Sequence, residues 1–424
     1  MVLRLLIAIF VALSVALVSG QQPNRKPAKP EPYVAPLLPV AEVWSTTLAA
    51  PPAAGGALDD HHAYVPLEDV STIDEGEAVR LPGTASIAAV DRATGAVRWY
   101  NHIESVWPPV VGGGSLFVAT TREVHAVNAM TGIRQWSVPL AGELRAPMLL
   151  RGNLLLMLTA PDVLIAIRTD TREVAWRLPL GDTGAVLMDA DQRAIYMTTE
   201  RGHVMRVNLA DGSRRWDRAL DDKARLTAPA IGPDRLFVGS STRAFWALDL
   251  EKGNEKWRWP PNRFFGGEIA GAAVAGETVY VTSLDNQLRA LDDDNGNQRW
   301  KAPAGTRPIG PPRAFFGTVV VTGLEPTLTT FDAKTQALVS TWSAPVGAQL
   351  QGDPLIDQNL KPFQVAIVVI MRDGRITGLR PTAMMFAELP AAPLTTLPGR
   401  ALTRERLPGE PEPAAPAPLA PASR

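Results

Sequence analysis

The densest run of chemically capable side chains is LDDHHAYVPLED, residues 58–69, which brings Asp59, Asp60, His61, His62, Glu68 and Asp69 close together. Imidazole and carboxylate both bind divalent transition metals, so the run invites a metal reading. Two features weigh against it. Asp59-Asp60 stands where a strand-entry turn belongs, and neighbouring side chains on a strand point to opposite faces, so His61 and His62 do not chelate together. A solvated turn accounts for the run, and no metal ligand or catalytic residue is assigned. DDDNG at 292–296 begins like a calcium loop but lacks the later acidic ligand. Gly112-Gly113-Gly114 precedes no helix and so makes no phosphate loop. His102, His125 and His203 are isolated and read as surface or satisfied core residues. One stretch keeps a functional reading. NRFFGG at 262–267 combines a cation, aromatics and flexible glycine between strand signals, and Arg263 and Phe264 are read as contacts for a ligand or partner.

The elements that would position these residues are set by a repeat. Trp99, Trp136, Trp176, Trp216, Trp257, Trp300 and Trp342 are spaced by 37, 40, 40, 41, 43 and 42 residues. A period near 40 belongs to propeller blades or helical arrays. Before the Trp positions come LLLMLT (154–159), AIYMTT (194–199), TVYVTS (278–283) and TVVVTG (318–323), too short and too β-branched for helices. Each Trp closes a hairpin phrase such as AVDRATGAVRW (89–99) or ALDLEKGNEKW (247–257). The side chains of Asp91, Asn128, Asn208, Asp249 and Asp292 can accept backbone N–H groups in a turn. Gly95, Gly132, Gly212, Gly253 and Gly296 supply the positive φ of a bulged hairpin loop. The phrase loses its Asp at Arg168 and its Gly at Arg172 and Gln336, and Trp342 arrives two residues late.

Four strands per period around an axis make a β-propeller. The chain predicts eight blades over residues 40–382. Residues 351–382 read as three blade strands without a Trp strand, and VAEVWSTTL (40–48) as a Trp strand without partners, so Trp44 completes the C-terminal blade. Closing the ring in this way removes exposed sheet edges. The first blade is over-long, with the acidic insert EDVSTIDEGEAVRLPGTA at 68–85.

The ends predict export. Arg4 precedes an apolar run from Leu5 to Val18 and small residues near Gly20, the grammar of a signal peptide over residues 1–20, with an uncleaved anchor as the alternative. Its loss moves the net charge from −1 to −2. Residues 21–39 and 383–424 are Pro-rich and read as a linker and a disordered tail. The chain has no Cys, which removes thiol chemistry, thiolate-bound metals and a lipid-acceptor Cys. Near-neutral charge argues against a nucleic-acid partner.

The repeated A-x-D-x-x-T-G-x-x-x-W phrase, preceded by a V-Y-V-x-S-like strand, resembles the pyrroloquinoline-quinone-like (PQQ-like) propeller repeat. The resemblance implies an all-β fold of four antiparallel strands per blade. It also implies that Trp44 and the seven repeated Trp residues dock between neighbouring blades. Two groups share this repeat: quinone-dependent dehydrogenases, with the cofactor and calcium in the funnel, and the propeller lipoprotein of the outer-membrane β-barrel assembly machinery. The adjacent Cys pair and large funnel inserts of the first group are missing. The expectation is therefore a periplasmic or secreted, non-catalytic, monomeric scaffold without cofactor, binding an envelope protein partner and resembling the assembly lipoprotein. The alternative is a PQQ-dependent dehydrogenase or another funnel-site envelope enzyme.

Overall fold

The middle strands are buried on both faces: every residue of Ala194–Thr199 and of Thr278–Ser283 is shielded from solvent. Such strands need a sheet covered on both sides, and here each sheet is covered by its neighbours. The structure is a computed structural model describing residues 39–382, apart from 75–76, 182, 185, 222–223, 260–265, 316 and 358–363. Arg263 and Phe264 lie outside the described residues. The chain divides into two units, Met1–Met385 and Phe386–Arg424, and the described residues all belong to the first.

Eight four-stranded antiparallel sheets form the blades of a propeller. The outermost strands of blades one to seven are Val97–Asn101, Arg134–Pro139, Val174–Pro179, Arg214–Ala219, Glu255–Trp259, Gln298–Pro303 and Leu338–Ser343. Blade eight is built from both ends of the ring, in the order Val40–Thr47, Arg375–Pro381, Ile367–Ile370, Leu355–Ile356. Its register runs from Val40 opposite Pro381 to Thr47 opposite Arg375, and the Thr382 N–H donates to Pro39 O at 2.7 Å. Double-sided coverage also settles Phe245 and Trp246. Although they alternate on one strand, both are buried, because neither face of an inner blade strand meets water.

Strand directions alternate, so each blade has two ends. The links between second and third strands, and from each blade to the next, lie at one mouth of the ring, the loop mouth. The remaining hairpins, including the Asp-to-Gly turns, lie at the other, the turn mouth.

The turns and the Trp residues form one device. Asp249 Oδ1 accepts the N–H groups of Glu251 and Lys252 at 3.0 and 2.8 Å, and Gly253 N–H closes the turn on Asp249 O at 2.8 Å. Asn128 does the same as a neutral amide: its Oδ1 accepts the N–H groups of Met130 and Thr131 at 3.0 and 2.9 Å, and its backbone O accepts Gly132 N–H at 2.9 Å. In the Asn208 turn the work is divided. Asn208 Oδ1 accepts Ala210 N–H at 3.1 Å and Asn208 O accepts Gly212 N–H at 2.9 Å, while Asp211 Oδ1 takes the N–H of Ser213 at 2.8 Å. An acceptor oxygen, rather than a negative charge, is therefore what the position requires.

Gly253 has φ +69°, and a Cβ there would stand 2.6 Å from the Trp216 ring of the preceding blade. Two constraints thus meet at one residue: a left-handed backbone and an indole lying flat on the turn. The Trp216 indole N–H donates to Leu250 O at 3.2 Å, just after the turn Asp. The same step recurs from Trp44 to Arg92 O, Trp99 to Ala129 O, Trp176 to Leu209 O, Trp257 to Asp293 O and Trp300 to Ala333 O. Within its own blade each such indole lies opposite a small residue (Ala89, Ala166, Ala247, Ala290 or Gly378), with Arg206 facing Trp216 as the exception.

The irregular phrases have physical reasons. Arg172 and Gln336 replace Gly and still adopt φ of +66° and +59°, so the turn keeps its backbone shape without glycine. Trp342 does not occupy the register of the other Trp residues. Ser340 stands there, opposite Thr330, and Trp342 pairs with Leu328. Blade eight has no covalent turn for a Trp to cover, because the chain enters and leaves the ring at that point. Trp342 instead packs against the Ile367 and Leu379 side of blade eight.

Two stability outcomes follow. A Pro39→Cys/Thr382→Cys disulfide would close the ring covalently and stabilise it by about 2–4 kcal/mol, seen as a melting temperature that falls on adding reductant. Gly253→Ala meets both a left-handed backbone and the Trp216 ring and should cost about 2–4 kcal/mol. Gly114→Ala has φ +75° but open space around it, so it should cost only about 1 kcal/mol; denaturant midpoints compare the two.

Candidate functional site

The His-rich run folds as a turn-mouth hairpin held by its own carboxylate. Asp59 Oδ1 accepts the N–H groups of His61 and His62 at 2.8 and 2.7 Å. The Tyr64 hydroxyl donates to Asp59 Oδ2 at 2.7 Å and also reaches Ala129 O of blade two at 3.0 Å. His62 is buried, with Nδ1 3.3 Å from the Tyr64 hydroxyl, whereas His61 is exposed. Asp59 is therefore a turn cap, and the two imidazoles differ in environment. Among the described residues no three His, Asp or Glu side chains gather as a metal-binding group.

The residue that sequence reasoning missed is Arg92, at the edge of a cavity of about 450 Å³ beside His62. Its side chain is buried and joins the first blade to the last. Nε donates to Val365 O at 2.7 Å, one terminal nitrogen donates to Asp59 O at 3.2 Å, and the other pairs with Asp357. Its backbone O accepts the Trp44 indole. Arg92 thus fastens the ring where its two ends meet. The signal was present in the repeat: the matching positions elsewhere are Ala129, Thr169, Leu209, Leu250, Asp293 and Ala333, with no other cation.

Titration here reports on stability. Burial lowers the affinity of His62 and of His125 for a proton, opposed by nearby carboxylates. Asp91 sits at about 2: burial alone would raise it, but hydrogen bonds from Arg98 and Thr94 outweigh that.

A second cavity, of about 900 Å³, opens at the loop mouth over blades four to seven. Its apolar lining includes Leu187, Leu226, Ile309 and Leu324, of which Leu324 is 68% exposed, Ile309 46% and Leu187 45%. Glu200, Arg225, Glu268 and Arg307 also line it, with Arg225 and Glu268 paired at 3.6 Å. The connecting loops are held rather than loose. Leu226 bridges to Ser240 and Pro308 to Gly323, and Thr282 Oγ1 donates to Gly310 O at 2.8 Å. A Cβ on Gly323 would stand 2.0 Å from Thr306 Oγ1, so glycine is what lets this loop close on its neighbour. An apolar centre with a charged surround is the anatomy of a protein-docking patch.

The imidazoles make a pH prediction. Their proton affinity is lowered in the folded state, so between those folded values and the ordinary value of about 6.5 the unfolded chain binds more protons. Stability should therefore fall as pH drops from 7 towards 5. The His62→Gln/His125→Gln double variant should flatten that slope, as measured by denaturant titration at each pH. The Asp91 contribution is present above its ordinary range and is lost only as pH falls towards about 2, outside that window.

The family model described as outer membrane protein assembly factor BamB matches residues 83–230 and 226–310, together more than half of the chain. Among solved structures, BamB from Moraxella catarrhalis superposes with a TM-score of 0.58 at 14% identity, covering 81% of this chain and 98% of that one. The computationally designed Ika8 protein superposes with a TM-score of 0.61 at 12% identity, covering 79% and 97%. At such identities these likenesses show the fold alone. No curated protein matches the sequence. With the repeat phrase, the eight closed blades and the family match in agreement, the chain belongs to the outer membrane protein assembly factor BamB family.

Proposed function

We propose that this protein is an exported, non-catalytic, monomeric propeller scaffold that binds a protein partner in the bacterial cell envelope, in the assembly of outer-membrane proteins. The observation that carries this reading is the loop-mouth patch: Leu187, Ile309 and Leu324 stand exposed around a 900 Å³ cavity with charged residues beside them. Family membership supports an assembly role. The apolar run from Leu5 to Val18 supports export to the periplasm. The cation-bearing residues near the His-rich run support a structural use, since Arg92 is committed to ring closure and Arg98 to Asp91.

Crosslinking in intact cells followed by purification tests the proposal. The wild-type chain should recover a defined envelope protein, and Ile309→Asp/Leu324→Asp should reduce that recovery about tenfold or more, the effect of losing a central apolar anchor. Met130→Asp, at the turn mouth, should leave it unchanged. Equal recovery by the loop-mouth variant, or a stable chromophore and dye-linked alcohol oxidation after incubation with PQQ and calcium, would overturn the reading.

A further inference from the structure

The loop mouth is built from links between strands. In blades two to eight, three to five residues join the second strand to the third; in blade one the link runs over residues 68–85 and carries a two-stranded ribbon, Ser71–Asp74 antiparallel to Glu77–Arg80. Beside the 900 Å³ cavity a smaller one, of about 630 Å³, opens between blades six and seven. Arg307 and Leu324 line both cavities, so together they form the ridge that divides them.

The ridge is held through its backbone. Leu324 N–H donates to Arg307 O at 2.8 Å, and Ile309 N–H donates to Thr322 O at 3.2 Å. Ala304 N–H ties the same link to Asn286 O of blade six at 2.8 Å. Glu325 follows Leu324, and its backbone O accepts Thr327 N–H at 2.5 Å and Thr327 Oγ1 at 3.2 Å. The main chain under Arg307, Leu324 and Glu325 is therefore fixed relative to the two cavities.

The charged side chains around these cavities fall into two groups. Arg225 pairs with Glu268 at 3.6 Å, Asp285 pairs with Arg289 at 2.6 Å, and Glu200 has partners of its own. Arg307 and Glu325 are exposed and form no ion pair or side-chain hydrogen bond among the described residues. Water solvates an exposed charge, so neither needs a partner for the ring to fold. Their placement is what gives them a use. They have opposite signs, stand on held backbone and flank Leu324, which at 68% is more exposed than Ile309 or Leu187. An apolar side chain that packs on Leu324 brings its own neighbours over these two charges.

We propose that the Arg307–Leu324–Glu325 ridge reads a mixed-charge segment of the partner protein. An apolar side chain of that segment packs on Leu324, an acidic residue sits on Arg307 and a basic residue sits on Glu325. Burial of the apolar anchor supplies affinity. The charge order sets register and direction, because the reversed segment places like charges together. The inference deepens the reading that a protein partner docks at the loop mouth, and rests on it.

The test uses the full-length chain and a phage-displayed library of random dodecapeptides. The strongest binder is then synthesised with a fluorescein label and read by anisotropy. Binders should share an apolar residue with an acidic residue on one side and a basic residue on the other. Exchanging the two charges in the peptide should weaken binding about tenfold or more. Arg307→Glu/Glu325→Arg should bind the exchanged peptide and lose the parent, with an unchanged melting temperature. No binders, binders indifferent to charge order, or a swapped variant that keeps the wild-type preference would each overturn the inference. A dimer in sedimentation that Arg307→Glu disperses would assign the ridge to a second copy and overturn it too. Leu324-dependent recovery of the partner in cells, beside any of these failures, removes only the charge reading and keeps the docking mouth. Recovery indifferent to Ile309 and Leu324 removes the docking mouth itself, whatever the peptides do.

Discussion

Everything in this ring depends on an indole laid flat on the next blade's turn. A Trp side chain removes about 200 Å² from water, worth roughly 5 kcal/mol as an upper bound at about 25 cal/mol per Å². The indole hydrogen bond adds only about 1 kcal/mol. Burial therefore drives the docking, while the hydrogen bond fixes its orientation. The turn must meet the ring with a glycine, because Gly95, Gly132, Gly212, Gly253 and Gly296 each have positive φ and each would place a Cβ under 3 Å from a Trp ring. Asp, Gly and Trp in one phrase are thus parts of two different contacts: Asp and Gly shape a turn that receives the previous blade's Trp, and Trp reaches forward to the following turn.

A chain of such forward steps must close on itself, and closure cannot use the ordinary device. Blade eight lacks a covalent turn, so Trp342 has nothing to cover and its register slips by two residues. The missing step is replaced from both sides. Val40–Thr47 pairs along Arg375–Pro381, which sets Trp44 on Gly95, and Arg92 ties blade one to Val365 and Asp357 of blade eight. A chain without Cys closes its ring by pairing, burial and one buried cation instead of a covalent bond.

How much of this was legible followed from what repeats. Blade number, the split blade and the turn residues could be read because the same constraint recurs at a period near 40. Asn128 and Asn208 were legible beside the Asp positions because each offers the same acceptor oxygen to the turn. Arg92 was hidden because it occurs once, inside a turn whose other members looked complete. Phe245 and Trp246 alternate along one strand yet are both buried, since a strand covered on both faces has no outward side for a sequence pattern to mark. The loop-mouth cavity was invisible for a different reason: Leu187, Leu226, Ile309 and Leu324 come from four separate stretches, and only ring geometry brings them together.

The two mouths are therefore not equivalent surfaces. At the turn mouth, Asp, Gly and the residue directly after Asp are committed to receiving a Trp, so most substitutions there act on stability before they act on recognition. At the loop mouth the links between second and third strands tolerate three residues or eighteen without disturbing a single indole, and this is where exposed Leu187, Ile309 and Leu324 and the inserted ribbon lie. The mouth that does not hold the ring together is the one free to acquire a partner, and a scaffold of this kind gains specificity by lengthening a loop rather than by altering a blade.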